Sequence, residues 1–388
     1  RSLTTESGDE VELALDKGEI RTLTEAQSVI PVSEVELELK QGQPAALYDV
    51  ARLLARETQL TVHPESKSER GLRALEGRAI ATYKASRAQL ASDATAEDAF
   101  RATLSHCLRH ITRNVTAVAE ARDPEGVHQI RVGLRRLRVA LTAFGDAFRA
   151  PAIEALRGRA KTLSGLFGNT RELDVFAGEL LTPVEEAAKK PGLAQMRLVL
   201  EELRKQSWDD TVALVRSDEF TGFVLDLAAA IETRPWREAV GPAGLSELLR
   251  PARDLAREAL AAQLKRSHKR AKHLASLGTE ERHTLRIALK KLRYTAEFFA
   301  PLFPAKAVAP FLLRLSKLQD LFGTLNDAAT AEHILVRIGE HPGARGGDEL
   351  MEAVAFVDGW HQSRVSPTWT SAKKRWKKFA KTQPFWAA

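Results

Sequence analysis

The sequence has one cysteine, Cys107, in 388 residues. A lone cysteine excludes an intrachain disulfide and a multi-cysteine metal site, and it fits a reducing cytoplasm, where the protein is expected. Long hydrophobic runs are missing too. Hydrophobic residues make up 44% of the chain, yet charges interrupt every apolar stretch, so no transmembrane helix and no membrane partner are expected. No secretory signal is visible. The ten histidines form no HExxH motif, and neither a P-loop nor a dinucleotide fingerprint occurs. The most informative lack is local. No Asp or Glu lies between Val127 and Gly145, or between His283 and Ala296, in a chain with 51 acidic residues.

Those two acid-free stretches are copies of one another. His128, Arg131, Arg135, Arg138, Phe144 and Phe148 match His283, Arg286, Lys290, Arg293, Phe299 and Phe303 at a constant offset of 155 residues. The offset holds again at Leu166-Phe167-Gly168 against Leu321-Phe322-Gly323. A repeat of this length means two structurally similar halves. In each copy the apolar residues recur at steps of three and four, the seam of a bundled helix: Val127, Ile130, Leu134, Leu137, Leu141, Phe144 and Phe148 in the first. His128, Arg131, Arg135 and Arg138 fall within about 80° of arc beside that seam. Arg136 and Lys291 are expected to point elsewhere.

A solvated basic face is the plain alternative. Like charges three or four apart each cost roughly 0.2–0.5 kcal/mol, and no local acid offsets them. An anionic ligand that gathers these cations explains the pattern better. A divalent cation at His128 or His283 would be repelled, so no metal is assigned there.

The doubled HxxRxxxRRLR-type helix resembles the CHAD family, the conserved-histidine α-helical domain. The likeness runs from about residue 93 to the C-terminus and includes LFGNTRELDV near Leu166, LFGTLND near Leu321 and RWKKFAKTQPFW from Arg375. It implies a mainly α fold: two pseudo-symmetric helical-bundle halves around a basic cavity, here preceded by a small α+β segment. It further implies non-catalytic binding of inorganic polyphosphate, in a pore lined by both repeated helices, with no cofactor. The candidate contacts are His128, Arg131, Arg135, Arg138, His283, Arg286, Lys290 and Arg293. Arg109 and Arg113 on the preceding helix join them, as does the densest basic run, Lys265, Arg266, His268, Lys269, Arg270 and Lys272. Polyphosphate granules are the implied setting. Nucleic acid is the rival polyanion, because such a run and the tail aromatics Trp376, Phe379, Phe385 and Trp386 also suit a single strand; docking on the core is the other use for those aromatics. Arg171, Asp174, Asn326 and Asp327 are read as structural.

Charge divides the chain. Residues 1–76 hold 9 Lys/Arg and 15 Asp/Glu, and the remainder holds 49 and 36, balances of −6 and +13. The acidic part alternates: EVELALD from Glu10, then Lys17-Gly18 read as a turn, then VSEVELELK from Val32, two half-buried strands followed by a helix from Pro44 to Leu60. With SKSERGLRAL from Ser66, it resembles the C-terminal part of a CYTH domain, the triphosphate tunnel fold. That resemblance implies Lys67 and Arg70 as basic positions and Glu34, Glu36 and Glu38 as candidate Mg²⁺ or Mn²⁺ ligands. The family's opening strand and first barrel half are not in this sequence, and two strands cannot close a tunnel. Metal-dependent triphosphatase activity is therefore expected only where that half is present. The divisions are residues 1–76, a linker helix at 77–92, and residues 93–388, with halves at about 93–240 and 245–388. Within the last, helices are expected at Ala96–Val118, at Ile153–Phe167 closed by Gly168, and at Ala305–Phe322.

Overall fold

The period-two stretches of the N-terminal segment pair as strands. β1 (Ser2–Thr4), β2 (Glu10–Arg21) and β3 (Val29–Gln41) form an open antiparallel sheet in that order, with Asp16 opposite Glu34 and Ala14 opposite Glu36. The structure is a computed structural model describing residues 1–23, 28–344 and 348–387. Lys17-Gly18 is not a turn: both residues continue the β2–β3 ladder, opposite Ser33 and Val32. Helix α1 (Pro44–Thr58) starts on a proline, and α2 (Lys67–Leu75) starts on a capping box in which Ser66 and Glu69 satisfy each other's backbone N–H.

Residues 78–91 form neither helix nor strand. Their Ala/Arg composition favours a helix, but they carry no apolar stripe to bury. Asn114 offers a partner instead, accepting from the Tyr83 N–H and donating to the Tyr83 carbonyl, both at 2.9 Å. The same buried Asn114 interrupts the expected helix at Ala96–Val118, leaving α3 (Ala96–Thr112) and α4 (Val115–Ala119).

The rest is helical: α5 (Pro124–Ala143), α6 (Pro151–Val175), α7 (Thr182–Ala187), α8 (Leu193–Val215), α9 (Asp218–Thr233), α10 (Pro235–Leu249), α11 (Ala252–Arg270), α12 (Thr279–Phe299), α13 (Ala305–Glu340), α14 (Asp348–Gln362) and α15 (Val365–Ala380). Gly168 does not close α6. The helix runs on to Val175 and through a π-helical turn, Phe176–Leu181, into α7. Likewise α13 passes Phe322 and extends to Glu340. A glycine costs a helix about 1 kcal/mol relative to alanine, and here continued burial of Leu173, Phe176 and Leu181 outweighs it. Gly241 takes φ +61° inside α10, ahead of Pro242, and kinks the helix there.

The repeated helices α5 and α12 pack against each other at the centre. Every seam residue named for them is buried. Phe144 and its repeat partner Phe299 meet directly, ring centroids 4.9 Å apart. Contact between equivalent residues is what a twofold relation between the halves demands. Gly133 lets α3 lie close against α5, since a Cβ there would come within 2.7 Å of Ile111. One continuous hydrophobic core joins both halves, and a smaller one lies under α8, α14, the π-helical turn and the end of α13. The tail aromatics belong to the main core: Trp376, Phe379, Phe385 and Trp386 are all buried, three of them against Phe311 or His268 and the last against Phe311. Among the described residues, no helix is long and apolar enough to cross a membrane.

Candidate anion-binding site

Because α5 and α12 cross at their apolar seams, the cationic flanks of both face one cleft. It encloses about 550 Å³ and is lined by Arg135 and Arg138 from α5, Lys290 and Lys291 from α12, and Arg157 and Lys161 from α6. Glu154 is the one acid in its wall, and Arg157 already pairs with it at 2.5 Å. Among the described residues, Arg135, Arg138, Lys161, Lys290 and Lys291 have no carboxylate within 4.0 Å. The Arg135 Nε is buried without a hydrogen-bond partner, a state that costs free energy until an acceptor arrives.

Behind the cleft wall the charges crowd. Burial, and after it Arg135, Arg286 and Arg131, push the Lys290 amine down to about 6 against a weaker opposing pull from Asp327. Burial, with Arg135 beside it, lowers Arg131 to about 10. Arg131 also donates to the Gly168 carbonyl at 2.7 Å, and a Cβ at Gly168 would lie 3.5 Å from its guanidinium. Burial lowers Arg286, whose Nε has no partner. Asp327, repeat partner of Glu172, is raised to about 6, mainly by burial. It lies inside α13 rather than in a loop. His128 stays neutral down to about 4, chiefly through burial and secondly through Arg171, and it is not among the residues that line the cleft. His283 is exposed and lines a second, smaller cavity of about 120 Å³ with Arg282, Arg286, Asn326 and Gln362.

Other predicted residues are placed elsewhere. Arg293 is held by Glu297 at 2.8 Å and by Gln319. Arg113 pairs with Glu69 at 3.0 Å and stacks on Tyr83, tying the N-terminal segment to α3. Arg109 is exposed on α3, outside the cleft lining. Of the α11 run, Arg266 lies near Lys291, while Lys265, His268, Lys269, Arg270 and Lys272 are exposed on the outer face. Asp174 is structural, accepting from Arg204 at 2.9 Å and Trp208 at 3.2 Å, and Arg171 pairs with Glu179.

The sequence reading missed three lining cations. Lys291 points into the cleft, not away; its repeat partner Arg136 is the buried one, paired with Glu297 beneath Tyr294 and Phe298. Arg157 and Lys161 were hidden because their partners at the repeat offset are Leu312 and Ser316; their spacing of four on one helix was the available signal.

In the N-terminal sheet, Asp16, Glu34 and Glu36 converge, and the Lys67 ammonium sits among them at 2.5, 2.8 and 2.5 Å. Glu38 instead pairs with Lys40 at 2.9 Å. As arranged, Lys67 supplies the positive charge that the metal-ligand reading of Glu34, Glu36 and Glu38 would assign to an ion.

A helical protein whose two repeated halves meet over one cation-lined cleft is the class that this fold and site define. The CHAD domain model matches residues 102–336, and the chain belongs to the CHAD domain family. It is similar to the crystal structure of the CHAD domain from the plant Ricinus communis, with TM-score 0.67 and 27% identity over 78% of this chain and 98% of that one. PptA from Streptomyces chartreusis is similar in fold, with TM-score 0.58 and 16% identity over 73% of this chain and 100% of its own. No curated protein matches.

Proposed function

We propose that the α5–α12 cleft binds inorganic polyphosphate without chemically altering it. The observation that carries this reading is the convergence of six basic side chains from α5, α6 and α12 on one cleft with a single, already paired acid. Such a wall suits a ligand with one negative charge per unit along a flexible chain. Arginines can fork onto two oxygens of a phosphate, and lysines add point charges. Six charge-assisted bonds at about 0.5–1.5 kcal/mol net give about 3–9 kcal/mol, which reaches micromolar affinity at its upper end.

Nucleic acid fits less well, because the tail aromatics that would stack on bases are buried in the core. Lys67 among the N-terminal acids supports a structural role for that cluster. With no cofactor called for, binding is the whole proposed activity; the setting in cytoplasm or polyphosphate granules is part of the same proposal.

The test is calorimetry with polyphosphate and two double variants, Arg135→Ala with Arg138→Ala, and Lys290→Ala with Lys291→Ala. Each is expected to weaken binding by about tenfold or more, with one ligand chain per domain; because the residues share a ligand, the quadruple variant need not show the summed loss. Two independent sites, or binding untouched by either pair, would overturn the reading. Competition by DNA or RNA at fixed salt with equal or greater affinity would favour the nucleic-acid reading instead.

A further inference from the structure

The cleft does not end at α12. Lys291, at its rim, lies within electrostatic reach of Arg266 on α11, and each is unpaired among the described residues. From Arg266 the positive charge continues along α11 through Lys265, Lys269 and Arg270 to Lys272 just past its end, all exposed. None of these has a carboxylate within 4.0 Å among the described residues. On the far flank of α11, His268 meets Trp376, ring centroids 5.4 Å apart. That contact brings in α15, which carries Lys374, Lys377 and Lys378 exposed. The aromatic residue is buried and serves as the hinge between two basic surfaces, not as a stacking platform.

A stripe of this kind is under internal tension. Like charges at spacings of three and four repel by a few tenths of a kcal/mol per pair, and α11 places Lys265 and Lys269, and Arg266 and Arg270, at that spacing without a compensating acid. Towards the opposite end the same helix does hold paired acids: Asp254 with Arg257 at 3.3 Å, and Glu258 with Arg250, just ahead of the helix, at 2.9 Å. Acids accompany α11 where it leaves the cleft behind and are absent where it adjoins the rim. The helix dipole favours that division at the last turn but gives no reason for Lys265 and Arg266, which precede it. A polyanion emerging at Lys291 does.

We infer that α11 and α15 form an outer track that takes up the polyphosphate chain after it leaves the cleft, so that the protein selects long chains over short ones. This rests on the cleft reading above and adds to it a preference for length. A short oligomer fills the cleft alone, whereas a long chain also displaces counterions along the track, and each additional neutralised phosphate steepens the salt dependence. The track's cations are exposed and screened beyond about 8 Å at physiological salt, so removing them should leave the cleft's own affinity in place.

The test uses the whole chain and polyphosphates of two lengths, one no longer than the cleft and one several times longer. Compared are the wild type, a track variant (Lys265→Gln, Lys269→Gln, Lys272→Gln) and a charge-matched control (Lys189→Gln, Lys190→Gln, Lys205→Gln) altered away from the cleft lining. The wild type is expected to bind the long chain about tenfold or more tightly, per chain, than the short one, with a steeper salt slope. The track variant is expected to lose that difference and keep the short-chain affinity, and the control to keep both. Equal wild-type affinity for the two lengths, an unchanged track variant, or a control that loses as much as the track variant would each overturn the track. Failure of the wild type to bind the short oligomer would instead overturn the cleft reading, so the two fail separately.

Discussion

Lys290 offers the sharpest test of how the cleft works. Its amine is pushed from the ordinary 10.5 down to about 6 by burial and by Arg135, Arg286 and Arg131, with Asp327 from α13 in weaker opposition. Arg138 and Lys291, Arg157 and Lys161, and the paired Glu154 complete the charged groups around it. At pH 7 such an amine is only about one-tenth protonated. A phosphate group placed beside it reverses the balance, because an opposite charge within contact range favours the ammonium. Binding should therefore take up close to one proton per site above pH 6. Affinity should fall as pH rises, by up to about tenfold per pH unit, until the bound-state pKa is passed. The stability of the empty protein runs the other way. The folded pKa lies below the unfolded one, so between about 6 and 10.5 the unfolded chain holds more protons, and this residue's contribution becomes more favourable as pH rises through that window. Calorimetry in two buffers of different ionisation enthalpy reads the proton directly. Lys290→Arg should flatten the pH profile while preserving binding. Asp327, raised to about 6, also repels the ligand once ionised, so Asp327→Asn separates its share. Identical heats in both buffers, or an unchanged slope in Lys290→Arg, would refute the argument.

Two further outcomes follow from the same charges. The affinity for polyphosphate should fall log-linearly as salt is raised, and an affinity that is level between low and physiological salt would count against a cation-lined site. Incubated with triphosphate and Mg²⁺ or Mn²⁺, this chain should release no more phosphate than buffer does, since Lys67 occupies the acidic cluster of an open three-stranded sheet; turnover abolished by Glu34→Gln with Glu36→Gln would reverse that view.

Much of the core was legible because helical geometry leaves little choice: a three–four apolar period fixes which face is buried, and the seams of α5 and α12 lie where the period places them. The repeat also located the centre, where Phe144 touches Phe299. Local signals failed where distant atoms decide. Residues 78–91 read as helix, yet they form none, and Asn114 takes up the backbone N–H and carbonyl of Tyr83 among them. Gly168 read as a stop, yet it lies under the Arg131 guanidinium in the middle of a helix. Membership of the site was legible at Arg135, Arg138 and Lys290, which repeat. It was illegible at Arg157 and Lys161, which do not.

The least legible feature is the exchange between the repeats, and it has a single origin. Glu297 stands where the first copy has Thr142, at the 155-residue offset. Its carboxylate holds Arg136, whose side chain is 8% exposed, and Arg293 as well. Their repeat partners Lys291 and Arg138 meet no such acid and line the cleft, as does Thr142 itself. One acid thus holds two of four related cations, Arg136 and Arg293, while the other two line the cleft. Glu297→Thr should leave Arg136 buried without its counterion, at a cost of about 3–5 kcal/mol, read as a lowered denaturation midpoint with an unchanged denaturant slope. Polyphosphate affinity, measured where the variant remains folded, should change far less than in the cleft double variants. The reciprocal change, Thr142→Glu, puts a carboxylate into the cleft wall near Arg138. It should weaken polyphosphate by about tenfold or more, since a like charge about 4 Å from a phosphate costs on the order of 4 kcal/mol before screening reduces it, with little effect on folding. If Glu297→Thr leaves stability intact, or Thr142→Glu leaves affinity intact, then this position does not divide the cations between core and cleft.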